Sequence, residues 1–148
     1  MKLRLKCIGG MAMVGTADSL YGLWQHYAPL GSSVCNWGQT FNCDIVNKSV
    51  FSEVAGIPVA AIGLAGYLAI LALAILSHWK ISKNAVYALV ALAAGGLTIS
   101  FILTFIEAYY LRAFCPVCLL SQFLMLAIAV CAVIVFHKHR QTAPSAAE

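Results

Sequence analysis

Charged side chains are scarce in this sequence. Lys and Arg number 9 and Asp and Glu 5 among 148 residues, whereas 62% of the residues are hydrophobic. An average soluble domain has about a quarter of its residues charged, so water is a poor solvent for a folded surface of this composition. The basic residues do not gather on one wettable face with aromatic residues between them, which argues against nucleic acid as a partner. The composition therefore predicts an integral membrane protein.

Two further features are missing. There is no internal repeat, and no small-residue cleavage pattern is found in the apolar stretch that ends near Tyr27. We therefore interpret this stretch as a first membrane span rather than a signal peptide, and residues 1–140 as a single membrane domain. The small and polar segment 141–148 is expected to be a disordered tail.

The apolar residues form four long runs. Crossing the hydrocarbon core takes about 20 mainly apolar residues in a helix. The runs are continuous rather than alternating, which favours helices over barrel strands. The predicted fold is an all-α, four-helix transmembrane bundle with an outer loop at 28–56. The helices are expected at about 5–27, 57–77, 85–111 and 115–136.

The basic residues indicate an orientation. Seven of the nine lie in the amino end, the 78–84 connection and the carboxyl tail, whereas the 28–56 loop and the 112–114 turn contain only Lys48 and Arg112. Cytoplasmic segments carry an excess of Lys and Arg. Both termini are therefore predicted to be cytoplasmic, and the 28–56 loop is predicted to lie outside.

A short helix is predicted at the end of this outer loop. Over residues 48–55, the side chains of Val50, Phe51 and Val54 would form one apolar face, as in helices that lie at a membrane interface. Gly56 and Pro58 would end this helix and start the second span.

Four of the six cysteines fall on the predicted outer side. Cys35 and Cys43 lie in the outer loop, and Cys115 and Cys118 form a Cys-Pro-Val-Cys motif at the outer end of the fourth span. Disulfides form and persist in compartments outside the cytosol. These cysteines are therefore candidates for disulfide chemistry.

The spacing of the cysteines leaves three interpretations. A metal site would need four closely spaced ligands, but seven residues separate the loop cysteines and His26 is the only His nearby. Structural disulfides would suit a non-enzymatic membrane protein, although a bridge within Cys-x-x-Cys closes too small a loop to stabilise much. Redox exchange fits best, because Cys115 opens a helix whose dipole favours a thiolate and Cys118 lies one turn deeper. Cys7 and Cys131 are expected to be inert.

Together these residues resemble the vitamin K epoxide reductase family in its bacterial form. The resemblance extends from the first span to the Cys-Pro-Val-Cys helix. Besides the four cysteines, it rests on Asp18-Ser19-Leu20-Tyr21, Ser49, Gly56-Ile57-Pro58, Gly63 and Tyr67.

The resemblance implies a four-helix bundle around a quinone pocket at the outer side. Cys118 would be the sulfur next to the quinone and Cys115 its exchange partner. Cys43 would exchange with Cys115, and Cys35 would face the outside partner. Electrons would pass from a thioredoxin-like periplasmic protein through both pairs to a quinone in the bacterial inner membrane. Each transfer would proceed by thiolate attack through a mixed disulfide.

The resemblance also suggests other site residues. Ser49 would stabilise a cysteine or assist the reaction, or else cap the loop helix. Val59 and Gln122 occupy positions where animal members place an Asn and a Tyr near the quinone. With Ile62 they are the predicted quinone contacts, although only Gln122 could donate a hydrogen bond to a quinone carbonyl. Menaquinone or ubiquinone, rather than vitamin K epoxide, is therefore the expected electron acceptor, without a metal.

Two acidic residues in the spans need partners. Asp18 falls near the middle of the first span, where a charge costs at least ~2.5 kcal/mol. We expect it to face inward as a carboxyl bonded to Thr98 or Ser100, and a functional role is the alternative. Glu107, near the outer end of the third span, is expected to reach interfacial water or Arg112.

Overall fold

The computed structural model describes residues 2–79 and 82–142, which are mostly helical. The elements are, in chain order, α1 (Lys2–Tyr27), α2 (Cys43–Asn47), a 3₁₀ turn (Val50–Ser52), β1 (Glu53–Val54), β2 (Ile57–Pro58), α3 (Val59–Trp79), α4 (Lys83–Ile106), a π-helical turn (Glu107–Leu111) and α5 (Pro116–Thr142). α1 packs along α3 and α5, and α4 packs along α5 and α3. The four long helices therefore form one bundle.

Each long helix buries a narrow stripe with a spacing of three or four residues. The stripes are Leu5, Ile8 and Ala12 of α1; Tyr67, Ile70 and Ala74 of α3; Val86, Leu89 and Ala93 of α4; and Ile128, Ala132 and Val135 of α5. This spacing is typical of helices that cross at shallow angles in left-handed bundles. Many large apolar side chains remain outside the stripes, and Ile75, Phe101 and Phe123 are examples that lie exposed. An outer surface of this kind suits lipid rather than water.

Within the described residues, three helices are long and apolar enough to cross a membrane: Val59–Trp79, Lys83–Leu111 and Pro116–Gln141. They agree with the predicted all-α membrane class. α1 is of similar length but contains Asp18 and three basic residues near its start, and a fourth span stays a prediction. Of the predicted tail 141–148, Gln141 and Thr142 continue α5, and residues 143–148 lie outside the described residues. Lys80, one of the basic residues of the 78–84 connection, also lies outside them.

The helix predicted over residues 48–55 is wrong. The loop helix is α2, which lies earlier, and residues 50–58 form the 3₁₀ turn and a two-stranded hairpin in which Val54 pairs with Ile57. Ala55 and Gly56, between the strands, both have positive φ, of 53° and 78°. Two such residues in succession make a tight hairpin turn and cannot continue a right-handed helix.

Candidate active site

The loop between α1 and α3 contains a disulfide between Cys35 and Cys43, whose Cα atoms lie 5.8 Å apart. Cys43 is the first residue of α2. Its position is fixed by Asn42, whose side chain accepts a hydrogen bond from Ile45 N at 3.1 Å and caps the helix. Cys35 lies in irregular chain, so side-chain contacts must hold it.

The carboxylate of Asp44 holds this irregular segment. Asp44 is 5% exposed, and four donors surround it: Gly31 N at 2.7 Å, Ser33 Oγ at 2.6 Å, Asn36 Nδ2 at 2.7 Å and Lys48 Nζ at 3.2 Å. Burial alone would raise the pKa of Asp44, but these donors hold the pKa well below its usual range. The ionised carboxylate therefore tethers the chain around Cys35 to α2.

Two backbone hydrogen bonds dock the loop against the segment that leads into α5. Asn42 N donates to Phe114 O at 3.1 Å, and Phe114 N donates to Thr40 O at 2.8 Å. The residues next in sequence are Cys43 and Cys115, whose Sγ atoms lie 3.5 Å apart. The pairing of backbones thus brings the two cysteine pairs into contact at one end of the bundle.

The Cys-Pro-Val-Cys motif forms the first turn of α5. Pro116 occupies the first helical position, which suits its fixed φ. Cys115 O accepts a hydrogen bond from Leu119 N at 2.9 Å, and Cys115 Sγ accepts one from Cys118 N at 3.4 Å. Cys115 therefore caps the helix with its own sulfur. Both cysteines of the motif are free thiols, and Cys115 is buried whereas Cys118 is half-buried.

Two buried amides lie between the sulfur pairs. Gln25 Nε2, from α1, donates to Cys35 Sγ at 3.3 Å. Asn47 Nδ2 donates to Gln25 Oε1 at 3.0 Å and lies 3.7 Å from Cys115 Sγ. The two side chains thereby connect the loop pair with the motif.

A cavity of about 360 Å³ opens beside Cys118. Side chains from α1, α3, α4, α5 and the loop line it, and most of them are apolar. The polar side chains of the lining include Asp18, Thr104, Glu107 and Ser121. Ligand sites in proteins are typically apolar cavities of about 300 Å³ or more with a few polar groups. The cavity therefore has the size and lining of a site for a largely apolar molecule.

The sequence model of the vitamin K epoxide reductase family matches residues 6–133. The chain belongs to the vitamin K epoxide reductase family. The matched region contains all four cysteines described above. Membership suggests a membrane thiol oxidoreductase, and the family is associated with quinone-linked redox chemistry. A search of curated proteins finds no significant match.

The residues predicted from the family resemblance differ in their placement. Val59, Ile62 and Ser49 line the cavity. Ser49 Oγ donates to Val46 O at 2.8 Å, and its side chain does not cap the 3₁₀ turn that it precedes. Gln122 is not among the described lining residues. Its side-chain oxygen accepts a hydrogen bond from Thr104 on α4. The roles of Val59, Ile62 and Gln122 as quinone contacts stay predictions. So does the role of Ser49 as a catalytic hydroxyl.

Asp18 takes a different partner from the expected ones. Its carboxyl group lies beside Ser121 on α5, whereas the hydroxyl of Thr98 donates to Ala94 O of its own helix at 2.9 Å. Asp18 and Ser100 both line the cavity. The carboxyl group therefore faces the interior of the bundle, as expected, but towards α5.

Sequence reasoning missed several site residues of this vitamin K epoxide reductase homologue. Glu107 neither reaches water nor pairs with Arg112: it is 2% exposed, and its carboxylate accepts a hydrogen bond from Cys115 N at 3.1 Å. Gln25 and Asn47 are ordinary polar residues in the sequence, and only the folded structure brings them to sulfur. Asp44 carried one signal, its position directly after Cys43.

Proposed function

We propose that the chain oxidises a thioredoxin-like periplasmic protein and passes the electrons through its two cysteine pairs to a membrane quinone. The observation that carries this proposal is the 3.5 Å separation of Cys43 Sγ and Cys115 Sγ. Thiol–disulfide exchange requires the attacking sulfur to reach a disulfide sulfur directly. These two sulfurs are close enough for exchange without a large movement of the chain.

The electron path has three steps, and each transfers two electrons. A dithiol of the partner reduces the Cys35–Cys43 disulfide, and the partner leaves as a disulfide. The loop dithiol then reduces a Cys115–Cys118 disulfide through a mixed disulfide between Cys43 and Cys115. Finally, Cys115 and Cys118 lose two electrons and two protons and form their disulfide again. The arrangement described above, with the loop pair oxidised and the motif reduced, corresponds to the state before this last step.

The cavity supports a quinone as the electron acceptor. It is mostly apolar, as a prenylated ring requires, and Cys118 lines its wall. Val59 and Ile62 would contact the ring or its tail. A bound quinone supplies a two-electron, two-proton acceptor, and we propose menaquinone or ubiquinone.

The surface near Cys35 supports a protein partner on the same side. Trp37 is 71% exposed, and Val34 is also exposed. Apolar and aromatic side chains of this kind are typical of the centre of protein interfaces. We place this end of the bundle on the periplasmic side of a bacterial inner membrane, with α1 as a fourth span and both termini in the cytoplasm.

Single Cys→Ser variants test the proposal. Cys118→Ser should abolish quinone reduction, and Cys35→Ser should block reduction by the protein partner while sparing reduction by small dithiols. Cys7→Ser is the matched control, because Cys7 is a free, exposed cysteine near the opposite end of α1. Thiol trapping in cells should show Cys115 and Cys118 changing oxidation state with quinone supply. Bonds that stay fixed would instead support the non-enzymatic alternative with structural disulfides.

A further inference from the structure

Glu107 lies where the third long helix changes its geometry. It is the first residue of the π-helical turn Glu107–Leu111, which ends at Arg112 in a left-handed conformation. Short π turns inside helices often occur at functional sites. After this turn the chain leads into α5, and the side chain of Glu107 is buried.

The carboxyl group of Glu107 lies beside both cysteines of the motif. It accepts a hydrogen bond from Cys115 N at 3.1 Å, and it interacts electrostatically with the side chain of Cys118. It also lines the cavity beside Cys118. One buried carboxyl group therefore lies beside a reacting thiol and lines the space that the electron acceptor would occupy.

Other titratable groups line the same cavity but have different partners. Asp18 lies beside Ser121, Tyr67 hydrogen-bonds Ser121, and His26 hydrogen-bonds Asn47 O and Glu53. Arg112, the cation nearest in sequence, is exposed. Among these groups, Glu107 is the one that is hydrogen-bonded to the Cys-Pro-Val-Cys motif, through Cys115 N.

We infer that Glu107 is the catalytic proton acceptor when Cys115 and Cys118 are oxidised. The inference rests on the proposed function. Forming the Cys115–Cys118 bond breaks two S–H bonds and sends two electrons to the quinone. Glu107 takes the proton of Cys118 and releases it into the cavity, where reduction of the acceptor consumes it. The proton of Cys115 leaves through the same carboxyl group, which is hydrogen-bonded to Cys115 N.

Glu107→Gln tests this role, because the amide keeps an oxygen for Cys115 N but cannot accept a proton. Loss of a positioned proton acceptor typically slows a reaction about 10²- to 10⁴-fold. We expect single-turnover oxidation of Cys115 and Cys118 by a soluble quinone to slow by at least ~100-fold. Glu53→Gln is the matched control: Glu53 lies at the same end of the bundle, bonds His26 and is half-exposed.

A second readout needs no quinone. Alkylation requires the Cys118 thiolate, which a neighbouring carboxylate opposes by charge. In quinone-free protein, Glu107→Gln should therefore leave alkylation of Cys118 as fast as before or faster across pH, although oxidation is slower. Equal slowing of both reactions would indicate a merely structural role and overturn the inference, as would unchanged oxidation. Wild-type protein that never reduces a quinone would instead overturn the proposed function.

Discussion

The buried side chains of Gln25 and Asn47 are joined by a hydrogen bond of 3.0 Å, and each also approaches a sulfur of a different cysteine pair. Gln25 belongs to a long helix of the bundle, whereas Asn47 ends the short helix that begins with Cys43. The bond therefore fixes the loop relative to the bundle at the point where the two pairs meet.

Removing one partner of this bond should slow exchange between the pairs. Asn47→Ala leaves the Gln25 oxygen buried without its donor, at a cost of about 1–3 kcal/mol, and removes the amide that bonds Cys43 O at 3.1 Å and approaches Cys115 Sγ. We expect exchange between Cys43 and Cys115 to slow by roughly 10-fold or more, which corresponds to about 1.4 kcal/mol. Acid quenching followed by alkylation measures this rate. Asn84→Ala, in an exposed part of α4, is the control, and equal rates in both variants would contradict the prediction.

Asp44 should make the loop sensitive to acid. Its folded-state pKa is lower than its unfolded value, so its contribution to stability is fully present above about pH 4 and is lost as the pH falls from there towards the folded-state pKa. We expect the reduction rate of the Cys35–Cys43 disulfide by a phosphine to rise over this acidic range.

Asp44→Asn gives the control for this acid sensitivity. The amide cannot bind its neighbours as a carboxylate does, and hydrogen bonds to charged groups contribute about 1.5–3 kcal/mol. The variant should therefore show fast reduction already at pH 7 and little further change on acidification. A wild-type rate that does not change below pH 4 would contradict the assignment.

Ser49 should affect quinone use rather than exchange between the pairs. Its hydroxyl lines the cavity and donates to Val46 O, so it lies on the side of the site where the acceptor would bind. We expect Ser49→Ala to raise the KM for a soluble quinone several-fold while leaving exchange between Cys43 and Cys115 unchanged in quinone-free protein. Slower exchange with an unchanged KM would assign the hydroxyl to the cysteines instead.

The sequence predicted the parts of this protein that depend on local pattern. Continuous apolar runs predicted the long helices of the bundle, and the spacing of Cys115 and Cys118 predicted a motif at a helix start. The contacts of Glu107 were not predictable, because they depend on the π turn and on how α4 and α5 pack, which no local pattern reports. The prediction of a helix over 48–55 was wrong for a related reason. Its apolar residues suited a helix, but Ala55 lies in the turn between the two paired strands and therefore has a positive φ.

The close packing of Gly15 against Tyr67 gives a test of the bundle itself. A Cβ atom at Gly15 would overlap the Tyr67 ring, which is buried. The Tyr67 hydroxyl group anchors the ring: it donates to Ser121 O and shares a hydrogen bond with Ser121 Oγ, both at 2.9 Å. The ring cannot shift without losing these bonds. We expect Gly15→Ala to destabilise the protein by about 1–3 kcal/mol, as overpacking of a core usually does.

Gly10 is the matched control for this substitution, because it lies in the same helix and a Cβ atom there meets nothing within 4 Å. Gly10→Ala should be neutral or stabilising by up to ~1 kcal/mol, since Ala favours helix. Thermal unfolding in detergent compares the two variants. Tyr67→Phe removes the hydroxyl anchor, so the ring can shift and Gly15→Ala should cost less in that background, a coupling that a double-mutant cycle measures. Equal Tm values for the two alanine variants would show that α1 and α3 do not approach each other at Gly15.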